Sequence, residues 1–269
     1  MPEGHVIHRL AADLSSTFGG RAVQVSSPQG RFADAAVLDG QVLRGAEAYG
    51  KHLFLDFGPD QVVHIHLGLI GKFRLVESRP LQSPKTLRLR LETDGRAADL
   101  RGPQWCRLVG ASERDRIIEG LGPDPLRPDA DPDRGWARVS RSDRTLASLL
   151  LDQRVAAGVG NIYRVEVLFR QRLHPETPGR RVSRPTWDRI WSDLVLLMPL
   201  GVSQGRIDTV RLEHTPERTG RPPRVDRHGG EVYVYRRAGM PCLVCGRPVS
   251  HRVVEGRTLY WCTRCQRRR

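Results

Sequence analysis

The chain has 269 residues, 39% of them hydrophobic, which is enough for two packed domains and a small further module. Its formal charge of +14 points to a polyanionic partner such as nucleic acid, ahead of an anionic membrane surface. No apolar run reaches transmembrane length and the first 20 residues are amphipathic, so neither a membrane protein nor a secreted one is expected.

The first residues, Met1-Pro2-Glu3-Gly4-His5, carry a candidate reaction centre. With Met1 cleaved, Pro2 presents a secondary amine. An α-amino group titrates near ~8, so part of it is a neutral nucleophile at pH 7, able to form an iminium with an aldehyde carbon. Glu3 stands beside it to move protons. The competing reading is a helix start with an acid in its first turn. Residues 3–18 read as that helix. Ile7, Leu10, Ala11, Leu14 and Phe18 form one apolar stripe and Gly19-Gly20 supply the stop.

From residue 21 to about 111 the pattern is one of short strands, at 21–25, 41–48, 53–57, 61–67, 71–76, 87–91, 97–101 and 106–111. Gly58-Pro59-Asp60 and Thr93-Asp94-Gly95-Arg96 lie at turns between them. This series predicts an antiparallel sandwich or barrel. Gly120, Gly122, Pro123, Pro125, Pro128, Pro132 and Gly135 then mark a linker, placed at 121–132.

After the linker the periodicity is helical. Trp136 and Val139 fit a short helix, and Leu146, Leu149, Leu150 and Val155 a longer one. A break at Gly158-Val159-Gly160 precedes a third helix, for which Asn161 is the expected N-cap. A fourth carries Trp187, Ile190, Trp191, Leu194 and Met198. Residues 203–230 hold Arg206, Arg211, Arg218, Arg221, Arg224 and Arg227 with little apolar content, and read as a mobile loop or linker, either simply solvated or DNA-contacting.

At the C-terminus, Cys242-x-x-Cys245 and Cys262-x-x-Cys265 enclose 16 residues, the spacing of a closed four-cysteine zinc site. The alternative, two disulfides, needs an oxidising compartment that nothing else in the chain supports. With no open ligand position the zinc is structural, and it supplies much of the folding energy of so small a module. Cys106 is left as a small buried hydrophobe. Between the pairs, 249–261 should form a hairpin with Glu255-Gly256-Arg257 near its tip. Arg257 there is either an exposed turn residue or a group reaching into a groove.

Four features stand in order: Met1-Pro2-Glu3-Gly4; Gly50-Lys51-His52-Leu53-Phe54; Leu151-Asp152-Gln153-Arg154-Val155-Ala156-Ala157-Gly158-Val159-Gly160-Asn161-Ile162-Tyr163; and the four-cysteine ribbon with Arg257. Together they closely resemble the bacterial formamidopyrimidine-DNA glycosylase/endonuclease VIII family, over essentially the whole chain. Pro2-Glu3-Gly4 is more like the endonuclease VIII branch.

The resemblance implies an α+β fold of two domains. An N-terminal helix and antiparallel β-sandwich (1–120) and a helical domain with a helix–two-turn–helix motif and basic loop (133–230) would flank a DNA cleft, with a zinc finger at 231–269. It implies Pro2 as nucleophile at the sugar C1′ and Glu3 as proton shuttle. Lys51 would hold a phosphate beside the lesion and assist β-elimination, although taken alone it reads equally well as a surface lysine at a strand edge. Asn161 would bind backbone phosphate, and Arg257 would grip the lesion phosphates. After His66-Leu67-Gly68, Leu69 and Ile70 form an apolar wedge where the family usually has a polar or methionine filler. His66 matches a family position.

The expected activity is a bifunctional DNA glycosylase/AP lyase of base excision repair, acting on oxidised bases, pyrimidines before purines. It would use one structural zinc and no organic cofactor, act on damaged duplex DNA, and work as a cytoplasmic, nucleoid-associated monomer. Two binding-only readings stand beside it: a non-catalytic protein for damaged or abasic DNA, and a zinc-ribbon protein of the RNA machinery. Neither requires Pro2-Glu3.

Overall fold

The computed structural model describes residues 2–79, 84–226 and 230–268; Met1 and Arg227, both singled out above, lie outside the described residues. The chain divides into two compact units, Met1–Gly120 and Leu121–Arg269.

The first unit opens with α1 (Gly4–Phe18), whose five-residue stripe is buried throughout. Burying such aliphatic and aromatic side chains contributes about 1.5–3 kcal/mol each, which fixes the helix against the sheet behind it. Gly19 donates back to the Ser15 carbonyl at 2.9 Å and Gly20, at φ 74°, turns the chain away. A two-stranded ribbon, β1 (Arg21–Ala22) with β3 (Val42–Leu43), brackets β2 (Gln24–Ser26) and the short α2 (Ala35–Leu38).

Two four-stranded antiparallel sheets follow. One contains β4 (Gly45–Tyr49), β5 (His52–Asp56), β6 (Val62–His66) and β10 (Trp105–Val109), in the order β10-β6-β5-β4. The other contains β7 (Lys72–Glu77), β8 (Leu87–Thr93) and β9 (Arg96–Arg101), in the order β2-β8-β9-β7. Leu53, Leu55, Val63 and Ile65 of the first sheet and Leu89, Leu91, Ala98 and Leu100 of the second share one core with α1, which makes the unit a sandwich.

The alternation in β8 holds for Leu87, Leu89 and Leu91, but Arg90 is buried as well. Its guanidinium is neutralised by Glu92 at 2.9 Å and Asp99 at 3.2 Å, the pairing a buried charge requires. A short helix, α3 (Ala111–Glu119), closes the unit.

In the second unit, the segment expected as a linker is packed into the fold. A Cβ on Gly122 would meet the Arg154 carbonyl oxygen at 2.5 Å, and Asp124 is fully buried. Ala157 donates to the Pro123 carbonyl at 2.9 Å. Then come α4 (Pro132–Val139), capped by the Asp131 side chain, and α5 (Leu146–Leu149), capped by Thr145.

The expected longer helix through Val155 does not form. Asp152 and Gln153 take over backbone groups that a helix would use. Asp152 Oδ1 accepts from the Arg154 N–H, Gln153 Oε1 accepts from Gly158, and Gln153 Nε2 donates to the Leu151 and Val159 carbonyls. The resulting double turn leads into α6 (Asn161–Arg170), and α7 (Arg184–Gln204) ends at Gly205 in the left-handed conformation.

Residues 203–226 are likewise no free linker. Ile207 is buried, Thr209 bonds Glu166 at 2.6 Å, and a short α8 (Pro216–Thr219) forms within the stretch. Arg221 pairs with Glu231, and the Arg224 guanidinium pairs with Asp226 at 2.6 Å. Last comes the hairpin of β11 (Ser250–Val254) and β12 (Arg257–Trp261). Val249, Leu259, Cys242 and Cys262 belong to the same core as α6 and α7, so the cysteine-rich end is continuous with the helical unit.

Candidate active site and nucleic-acid interface

At the amino end of α1, Glu3 occupies the N-cap position with extended backbone, and its carbonyl accepts from Val6 at 3.0 Å. The residue is 1% exposed, whereas Pro2 is half-buried.

Lys51 sits in the turn of the β4–β5 hairpin rather than in a strand. Tyr49 and His52 are the closing pair, and Gly50 takes φ 58° while Lys51 does not go positive, the pattern of a type II′ turn. Ser15 of α1 bonds both the N–H and the carbonyl of Ala46, at 2.8 and 3.0 Å, and the helix packs along β4. From that tie the helix runs about 16 Å back to Gly4 and the strand about 13 Å forward to its turn. Beyond that tie Gly20 donates to the Leu43 carbonyl at 2.7 Å, so helix and strand run in opposite directions, and the amino end of α1 and the Lys51 turn lie at the same end of the helix–hairpin pair.

Behind Lys51 lies a ladder of rings. His52 Nδ1 and His64 Nε2 are 2.8 Å apart, within hydrogen-bond distance, and His66 stacks on Trp105 with ring centres 4.6 Å apart. Burial, helped by the neighbouring His66, Lys51 and Arg107, lowers the His52 pKa to about 4. Burial, with His52 and Arg107 nearby, lowers that of His64 to about 3. Burial also lowers His66, against a raising contribution from Gln104. In all three the surroundings favour the neutral imidazole. Leu69 and Ile70 protrude from the β6–β7 loop at 64% and 79% exposure. Gly68, at φ 67°, lies close against Gln104, which supports the base of that loop.

In the second unit, Asn161 is the first residue of α6; Gly160, extended at φ −123°, is the N-cap. Gly160 offers no side-chain acceptor there, and the Asn161 amide is used elsewhere. Its Nδ2 donates to the Thr258 carbonyl at 3.0 Å and its Oδ1 accepts from Arg164. Arg164 is completely buried and also reaches the Ala147 carbonyl at 3.4 Å. Asn161 thus joins the double turn to the hairpin bearing Arg257, which is half-buried at the start of β12.

Sequence reading misses Arg164 and a second tie, Ser148 Oγ to Glu255 Oε1 at 2.9 Å. The partners are 107 residues apart. Only the unusual Glu-Gly turn at 255–256 hints at it.

The four cysteine sulfurs lie within 4.8 Å of one another, Cys242 to Cys265 at 3.9 Å and Cys245 to Cys262 at 3.5 Å. A disulfide needs about 2.0 Å. Tetrahedral zinc with bonds of about 2.3 Å places its sulfurs about 3.8 Å apart, so the spacing fits that ion. Among the described residues this is the one cluster suited to a metal.

Three family models cover most of the chain: the formamidopyrimidine-DNA glycosylase N-terminal domain over residues 1–105, the formamidopyrimidine-DNA glycosylase H2TH domain over 121–211, and a zinc finger found in FPG and IleRS over 239–268. The chain is 46% identical to Endonuclease 8 1 of Mycobacterium tuberculosis over 271 residues, covering 99% of this chain and 100% of the relative. It is 35% identical to the formamidopyrimidine-DNA glycosylase of Thermus thermophilus over 243 residues, covering 88% and 86%. The crystal structure of the MutM (FPG) protein from Thermus thermophilus superposes with a TM-score of 0.77 at 30% identity, over 98% of both chains. The Lactococcus lactis Fpg in complex with abasic-site DNA shares the fold, at a TM-score of 0.80 and 21% identity over 99% of this chain and 100% of that one. The ring ladder, the double turn and the four-cysteine hairpin are thus features of a member of the formamidopyrimidine-DNA glycosylase/endonuclease VIII family of DNA glycosylases.

Proposed function

We propose that this protein is a bifunctional glycosylase and AP lyase that removes oxidised bases, pyrimidines before purines, from duplex DNA in base excision repair. It would act as a monomer in the bacterial cytoplasm, at the nucleoid. The observation that carries the reading is the juxtaposition of a half-buried Pro2 with a buried Glu3 at the amino end of α1. A DNA-binding module has no use for that pair. Among the described residues no helix is long and apolar enough to cross a membrane.

In this mechanism the damaged nucleotide leaves the stack, and Leu69 and Ile70 fill the gap while His66 supports the wedge loop from its stack on Trp105. The Pro2 nitrogen, freed by loss of Met1, attacks C1′. The glycosidic bond breaks, its electron pair leaves with the base, which takes up the Pro2 N–H proton, and Glu3 in its acid form protonates the sugar ring oxygen so that the C1′–O4′ bond breaks and the ring opens to an iminium. The iminium acidifies the C2′ proton; its removal expels the 3′ phosphate, and a second elimination releases the 5′ side.

Lys51, Asn161 and Arg257 hold the phosphates, Arg257 as a planar fork suited to phosphate oxygens. Cys242, Cys245, Cys262 and Cys265 would hold a structural zinc, which would supply folding energy to the hairpin.

The test is borohydride trapping on a duplex with one abasic site, using protein whose Met1 is confirmed absent. A covalent adduct mapped to Pro2, lost in Pro2→Gly and reduced at least about 100-fold in turnover by Glu3→Gln, is expected. Binding of the duplex by folded, zinc-loaded protein with neither adduct nor cleavage would leave a damage-recognition protein without the reaction.

A further inference from the structure

The hairpin tip that presents Arg257 is built against its own backbone preference. Val254 and Arg257 close a two-residue turn, and both residues between them have positive φ, Glu255 at 50° and Gly256 at 70°. Glycine adopts that region freely, and asparagine or aspartate with little penalty. A glutamate at the first position does so at a cost. Its compensation is long-range. Glu255 Oε1 accepts from Ser148 Oγ at 2.9 Å, and Ser148 is buried in α5, where its hydroxyl also meets Thr145 Oγ1 at 3.0 Å. On the other side of Arg257, the Thr258 carbonyl is tied to Asn161 of α6. The tip is thus fastened to two helices, two residues before Arg257 and one after it. Unfastened, it would stand about 17 Å from the cysteine end of the hairpin.

We propose that Glu255 and Ser148 form a latch that positions Arg257, with the strained turn retained because only a side chain as long as glutamate or glutamine spans from the tip to α5. Glu255 and Ser148 are positioning residues and touch no substrate. The proposal rests on the phosphate-gripping role given above to Arg257.

The latch is tested in full-length, zinc-loaded protein. Ser148→Ala removes the donor, and Glu255→Asn suits the turn but cannot reach α5. Each is expected to raise the mobility of backbone amides 255–258 in nitrogen-15 relaxation and to lower kcat/KM for abasic-strand cleavage about tenfold. The double variant should be no worse than either single one. Glu255→Gln, which keeps an acceptor at the same reach, should stay within about twofold of the parent.

Because asparagine relieves the turn, Glu255→Asn should melt no lower than the parent, so its lost activity is not lost folding. Tip amides as ordered in both variants as in the parent, or parental cleavage by both, would overturn the latch. A parent that neither traps nor cleaves abasic DNA would instead sink the lyase reading. The relaxation measurement would then decide the latch by itself, a loosened tip supporting it and an ordered one overturning it.

Discussion

His52 and His64 are set against protonation by their surroundings, and this has a measurable sign. Both have folded pKa values, about 4 and about 3, below the ordinary 6.5, because burial penalises the imidazolium and Arg107 stands nearby. His5, buried in α1, is lowered to about 4 as well. Below pH 6.5 the unfolded chain takes up protons that the folded chain refuses, so stability falls as pH falls through the window from 6.5 toward 4. Each such histidine contributes a slope of up to about 1.4 kcal/mol per pH unit there. Thermal melts between about pH 7 and pH 5 should show the first unit losing stability, and His64→Phe, which can stack on Phe54 as His64 does at 4.9 Å, should flatten the dependence by roughly one histidine's share. At this scale the sequence is legible where chemistry is local. Pro2-Glu3 and the two Cys-x-x-Cys pairs announce themselves by type and spacing. The cross-strand ladder does not, since His52, His64, His66 and Trp105 come from three strands whose register no local pattern supplies.

A helix whose apolar stripe is complete, such as α1, can be read directly, because burial of one face decides both its existence and its length; the stripe of α7 gives its existence, but the helix runs on to Gln204, into the stretch that reads as a loop. The stretch after Leu149 cannot, because its outcome depends on the Asp152 and Gln153 side chains binding nearby backbone. The 121–132 and 203–226 stretches mislead for a related reason. Proline, glycine and arginine suggest a tether, yet their order comes from contacts remote in sequence. The strongest of these is Glu166, fully buried in α6, whose two carboxylate oxygens accept from Thr209 Oγ1 and from the N–H groups of Tyr233, Val234 and Tyr235 at 2.6–2.8 Å. Glu166→Gln replaces one accepting oxygen with a donor and leaves two buried donors facing it. The expected loss is about 2–4 kcal/mol, read as a lower denaturation midpoint with the first unit unaffected.

Each unit has its own core, that of the first spanning Ile7 to Cys106 and that of the second Val139 to Cys262. Because Cys242, Val249, Leu259 and Cys262 belong to the second core, removing zinc should do more than fray a terminal module. With a strong chelator, hydrogen exchange should accelerate in β11 and β12 and extend into α6, which packs on β12, while β5, β6 and β8 stay protected. Unchanged protection of the hairpin after complete metal removal would show that the metal is dispensable to the fold. The charge of +14 makes association with DNA strongly salt-dependent, and the hydrogen-bond inventory of Asn161 bears on how that dependence is shared. With its oxygen taken by Arg164 and one amide hydrogen by Thr258, the side chain has a single hydrogen left, and it is neutral. A contact of that kind displaces no condensed cation. Across a salt series, losing the Arg257 charge should therefore make the line shallower by about one counterion, and Asn161→Ala, which also unties the Thr258 carbonyl beside Arg257, should flatten it by no more than that.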